Sequence, residues 1–280
     1  MTTHTVTPDN LQENAPEQLQ VLSGSSRLRG LRPLLSRELQ RWWGTHRWLI
    51  HTLLWLGVFG GMLALVLFVL PNQTTPDGEP VLDESALDSG VQMFIGMGAL
   101  LLSVGAVVVM QDSVLGEKQT GTAAWVLSKP ASRFAFILSR LLASIFSMLI
   151  TMIVVPGLGA FLLFYLYEPG VISPLALAKA QSVIALHTFF YLALTLLLSA
   201  TLENRSAVLG IPLALALGGS FLPLGQLVRF TPLQLSQVSV SYALNNDALG
   251  SIGTTMIVAT AVWSLLFVIA TLWRFERVEF

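Results

Sequence analysis

The chain has no cysteine, few charged side chains and only four histidines in 280 residues. The missing cysteine excludes disulfides, thiolate nucleophiles, cysteine-ligated zinc and iron–sulfur clusters. Charged residues make up 11% of the chain, against about 25% in an ordinary soluble domain. Fifteen bases and sixteen acids leave a formal net charge of -1, so no overall basic excess points to nucleic acid. Carboxylates are scarce within the apolar stretches: Glu168 and Glu203 stand near the ends of theirs. That weighs against an ion-coupled carrier, which needs buried acids along its path. His187 is the one histidine well inside an apolar stretch, and no Asp or Glu accompanies it. A metalloprotease would need paired histidines and a glutamate on one helix face, so no metal site is expected, and an intramembrane enzyme built on His187 is only the second alternative, after a stand-alone ion-coupled carrier. His187 reads as a polar residue facing its neighbours, or as one lining a pathway.

Phosphate-loop chemistry is missing too. The run Gly116-Glu117-Lys118-Gln119-Thr120-Gly121-Thr122 has suggestive glycine spacing, but no lysine follows the second glycine and no strand precedes it. No polar stretch is long enough for a nucleotide-binding domain. The chain is therefore expected to have no enzymatic activity of its own, and any energy from ATP would have to come from another chain.

What the sequence has instead is apolar residues, 54% of the total. Six stretches approach the roughly 20 residues that a membrane helix needs: Trp48–Leu70, Val91–Met110, Phe134–Tyr167, Leu175–Leu202, Ala207–Val228 and Thr254–Trp273. The third is long, and Pro156-Gly157 predicts that it kinks or tilts. Of the fifteen Lys and Arg, all but Lys179 and Arg229 fall on one side of this layout. The positive-inside rule makes that side cytoplasmic. Both termini then lie in the cytoplasm, and the protein is expected to be multi-pass in a cell (inner or plasma) membrane. The opposite loop, Pro71 to Gly90, holds five acids and no base. Residues 1–26 are polar and without an apolar core, so they read as a disordered cytoplasmic tail and not as a signal peptide.

Three segments between the spans carry functional information. Residues 27–47 read as a basic amphipathic helix lying in the cytoplasmic interface, an elbow against lipid or a partner, with Arg37, Arg41, Trp42 and Trp43 as its marked residues. Residues 48–280 read as one six-helix transmembrane domain. Residues 111–133 (QDSVLGEKQTGTAAWVLSKPASR) form the longest internal cytoplasmic connection. An apolar Trp125-Val126-Leu127 patch there needs a cover, either lipid headgroups or a docked soluble protein. Pro130 stops one helix, and Ser132 can cap the next. The third segment, Leu222 to Gly253, is too polar to span and too apolar for a plain loop, so it reads as short re-entrant or interfacial helices on the outer face. Thr231 is expected to cap the first of these, with Pro232 in its first turn. Gly57 and Gly61, and Gly210, Ala214 and Gly218, have the small-residue spacing of close helix contacts. Packing within the chain is the default reading, and a dimer seam is the sharper one.

Glu117, Gly121-Thr122, Leu127-Ser128-Lys129-Pro130, Arg133 and Arg140-Leu141 resemble the loop between the second and third spans of type-2 ATP-binding-cassette (ABC) exporter permeases. The elbow, the six spans, the Glu203-Asn204-Arg205-Ser206 turn and the outer segment extend the resemblance over about 250 residues. It implies an all-α permease that pairs with a second copy or a close paralogue. Two separate ATPase subunits would bind ATP and magnesium below it. The cytoplasmic loop would then be a coupling helix, with Glu117, Lys118, Gly121, Thr122, Trp125, Leu127, Pro130 and Arg133 meeting the ATPase. The few buried charges favour a hydrophobic or amphipathic substrate.

Overall fold

The computed structural model describes residues 28–77, 80–82, 85–116, 132–245 and 249–277. The expected tail and most of the 111–133 connection lie outside these residues. The described chain is helical, with one isolated bridge between Thr74 and Pro80. Five helices are long and apolar enough to cross a membrane. They are α2 (Arg47–Ala64, running on through a wide π turn, Leu65–Val69, to Asn72), α3 (Ala86–Met110), α4 with α5 (Arg133–Met148 and Val155–Tyr167, joined by a π turn), α6 (Pro174–Thr201) and α9 (Gly250–Glu276). The remaining helices are α1 (Leu31–Trp43), α7 (Arg205–Gly218) and α8 (Leu235–Ala243).

Local chemistry sets these boundaries. Ser85, Ser132 and Ser173 each accept the amide three residues on and so cap α3, α4 and α6. Pro156 has no amide to donate, and the π turn Leu149–Val154 opens just before it, within a helical run that continues from Arg133 to Tyr167. Hydroxyls inside the bundle bond back to carbonyls one turn earlier, as Thr151 does to Ser147, Thr195 to Tyr191 and Thr260 to Met256. In hydrocarbon this satisfies each hydroxyl without a partner helix.

The most buried helix is α6, packed against α3, α8 and α9. Aromatic contacts knit the rest. Trp55 stacks on Phe59 at 5.5 Å, Phe59 meets Phe94 edge-on at 5.8 Å, and Phe136 stacks on Phe275 at 5.6 Å. Leu158, Leu162 and Leu166 point outward, an exposed stripe suited to lipid. Gly105 is needed where Trp55 presses on α3, since a Cβ there would lie 2.9 Å from the indole ring. Gly105→Leu is expected to cost about 1–3 kcal/mol, read as a lower thermal midpoint in detergent.

The fifth stretch departs from expectation. In place of one helix over Ala207–Val228, α7 ends at Gly218, and two 3₁₀ turns follow, Gly219–Phe221 and Gly225–Phe230. Gly218-Gly219 and Pro223 weaken continuation. Leu233 also lies so close to Gly219 that any side chain there would collide with it. Thr231 is corrected as well. Its hydroxyl donates to the Val228 carbonyl at 2.7 Å, closing the preceding turn, and α8 starts only at Leu235 without a side-chain cap. The small-residue spacing at Gly57, Gly61, Gly210 and Gly218 is not used for close packing within the chain: a Cβ at any of them meets nothing within 4 Å.

Candidate functional site at the basic end of the bundle

The ends of α3, α6 and α9 and the starts of α4 and α7 meet at one end of the bundle, beside α1. A single hydroxyl organises one side of this junction. Ser199, fully buried near the end of α6, donates to the Gln111 carbonyl at 3.0 Å. It accepts the amides of Val114 at 3.3 Å and Leu115 at 2.9 Å. A serine oxygen has one proton and two lone pairs, so these three bonds use its full capacity. They satisfy the chain where α3 stops and the 117–131 segment is about to begin. Arg205 reinforces the same turn, donating to Asp112 at 2.9 Å and to the Gln111 side chain at 3.4 Å. Both members of the Arg205–Asp112 pair are more than half exposed, so the pair contributes about 0–1 kcal/mol. The buried serine is the stronger tether.

The other end of the segment is tied as firmly. The Ser132 amide donates to the Arg29 carbonyl at 3.0 Å. Arg133 donates to the Glu276 carbonyl at 2.9 Å, filling one of the open acceptors at the end of α9. Arg140, buried at 7% exposure, lies 3.5 Å from Glu38 of α1 and over the Phe136 ring at 4.5 Å. Trp43 of α1 packs on Trp48 and on Phe146. Helix α1 is thus clamped to α4 by an ion pair at one place and aromatic rings at another.

Of the expected coupling residues, Glu117, Lys118, Gly121, Thr122, Trp125, Leu127 and Pro130 lie outside the described residues, and Arg133 is the one whose contacts are visible. Arg37 is exposed on α1, whereas Arg41 and Trp42 line a cavity of about 720 Å³ between α1, α3 and α4. His187 stands apart from this end. It is buried halfway along α6, its Nδ1 3.2 Å from the Pro232 carbonyl and its ring edge-on to Tyr191 at 5.2 Å. That geometry ties the turn at Pro232 to α6. Among the described residues no group of His, Asp and Glu could hold a metal. Ser199, Gln111 and Asp112 escaped the sequence reading. Only the opposite charges of Asp112 and Arg205, flanking two apolar stretches, hint at their meeting.

No curated protein matches the sequence. The family described as "ABC-2 family transporter protein" matches residues 9–280. With nearly the whole chain covered by that match, and with five apolar helices able to cross a membrane, the protein belongs to the ABC-2 transporter family, the multi-pass membrane permeases of ABC transporters.

Proposed function

We propose that this chain is the permease subunit of an ATP-driven exporter, working as a pair and coupled through residues 117–131 to separate ATPase subunits. One observation carries this reading. Both ends of that segment are anchored at the arginine-rich end of the bundle, by Ser199 and Arg205 on entering and by the Arg29 and Glu276 carbonyls on leaving. Force applied to the segment would reach α3, α6, α7 and α9 at once. ATP and magnesium would sit on the partner, and this chain would supply no catalytic residue. The open faces at Gly57, Gly61, Gly210 and Gly218 suit a second copy, and the apolar surface suits a hydrophobic or amphipathic cargo in a cell (inner or plasma) membrane.

The same reading includes a sixth crossing. α9 ends at the basic end and is about 40 Å long at 1.5 Å per residue, so Gly250 belongs to the far end. The chain from Thr201 to Gly250 must therefore climb the bundle. α7 supplies about 21 Å of that rise. The Phe230 and Pro232 carbonyls, held by Trp263 and His187 near the middles of α9 and α6, mark its halfway level. Both termini then share the cytoplasmic side, and the 3₁₀ turns and α8 form the re-entrant outer segment. Because the chain lacks cysteine, Ser206→Cys and Ser251→Cys are clean reporters. On intact cells an impermeant maleimide is expected to label Ser251→Cys and to spare Ser206→Cys. Labelling of both from outside would remove the sixth crossing.

For function, the chain reconstituted with its ATPase is expected to move substrate only with ATP and magnesium. Transport by the chain alone under a proton gradient would favour a stand-alone carrier instead.

A further inference from the structure

We infer that the cavity behind the elbow binds an anionic phosphate group, that of a lipid headgroup in the cytoplasmic leaflet or of a free phosphate compound. The inference needs only the orientation of the basic end and not the coupling mechanism. The cavity, about 720 Å³, falls within the range of about 300–1,000 Å³ typical of ligand sites. Four arginines line it, Arg41, Arg47, Arg140 and Arg205, with two carboxylates, Glu38 and Asp112. Arg140 and Arg205 pair with those carboxylates. Arg41 and Arg47 have no carboxylate partner among the described residues, so four positive charges against two negative leave the site at +2.

Trp42, Ser113 and Ser147 line the same cavity, and each carries a buried donor, Trp42 Nε1, Ser113 Oγ and Ser147 Oγ, without a hydrogen-bond partner among the described residues. Buried donors are nearly always satisfied in a folded protein, and together with two free guanidinium groups they call for an acceptor-rich anion. Val108, Val109 and Ala143 add an apolar wall on the bundle side, where the glycerol and first methylenes of a lipid would lie. Basic pockets between spans on the cytoplasmic side suit such headgroups, each Lys or Arg adding about 1 kcal/mol of attraction, or roughly fivefold in affinity.

The test uses the full-length protein in detergent micelles, offered equal amounts of phosphatidylglycerol and phosphatidylcholine with identical acyl chains, with retained lipids counted by native mass spectrometry. Phosphatidylglycerol is expected to be retained preferentially. The Arg41→Gln/Arg47→Gln double variant should reduce that retention roughly 25-fold, and Arg274→Gln, at the same end of the bundle but outside the cavity, should leave it unchanged. Millimolar inorganic phosphate separates the two sources: displacement of the lipid assigns the site to phosphate alone, and persistence assigns it to the headgroup with its tails. Equal retention of the two lipids would overturn the inference, as would an Arg274→Gln loss as large as that of the double variant. Should the double variant fail to purify folded, Trp42→Phe, which removes one neutral donor, carries the test. Retention weakened roughly fivefold supports the site, and unchanged retention overturns it.

Discussion

Trp125→Asp is expected to abolish ATP-driven transport while leaving the bundle folded. Trp125-Val126-Leu127 is an apolar run within an otherwise polar connection between the second and third apolar stretches. If it docks in a cleft of the ATPase, its tryptophan is the natural anchor, since buried aromatic anchors at interfaces typically contribute about 2–4 kcal/mol. Losing that and placing a carboxylate in the cleft weakens association by about 30- to 1,000-fold. The measurement is co-purification of the ATPase together with transport in proteoliposomes. Circular dichroism and the thermal midpoint should stay at wild-type values, because residue 125 belongs to the connection between two apolar stretches and to neither of them. Glu117→Arg should act in the same direction through charge reversal. Normal transport by both variants would remove the coupling assignment.

Ser199→Ala is expected to be the most damaging conservative change at the basic end. It removes one hydroxyl but strands three backbone groups, the amides of Val114 and Leu115 and the carbonyl of Gln111. Val114 and Leu115 are almost completely buried, so water cannot readily replace the serine. Each unsatisfied buried group costs about 1–3 kcal/mol. Partial relaxation brings the expected total to about 2–4 kcal/mol. Arg205→Ala, by contrast, breaks an exposed pair and should cost about 0–1 kcal/mol. Hydrogen–deuterium exchange at residues 113–116 checks the difference: fast exchange in Ser199→Ala, near-native protection in Arg205→Ala. Coupling should fall in the same order, because a loosened anchor lets the 117–131 segment move without moving α6.

Hydropathy alone made most of the membrane layout legible. Trp48–Leu70 and Thr254–Trp273 fall within helices that extend only slightly further, and Leu175–Leu202 overruns its helix by one residue, since α6 ends at Thr201. The start of α3 was placed too late, at Val91 in place of Ala86, because the cap at Ser85 sits in an acidic stretch that looks like loop. The fifth stretch misled for a different reason. Composition counts apolar residues, but Gly218-Gly219 and Pro223 determine whether they form one helix, and Leu233 completes the break from 14 residues downstream of Gly219. Thr231-Pro232 has the local pattern of a helix start, yet its carbonyl partner is His187, 45 positions away. Such long-range contacts leave no local trace. The same holds for Ser199, one of many serines in apolar helices until α3 ends against it. Helix α1 was legible from its helical spacing of apolar residues, but its clamp to α4 through Glu38 and Arg140 depends on tertiary placement.

The sidedness of the 117–131 segment is tested most directly by impermeant maleimide labelling of two single-cysteine variants in this cysteine-free chain. Asp77→Cys, in the acidic loop, should react on intact cells, whereas Ser128→Cys should react only after the membrane is opened and should be shielded when the ATPase is bound. Reaction of Ser128→Cys from the outside of intact cells would put the segment beyond the reach of ATP and contradict the proposed mechanism.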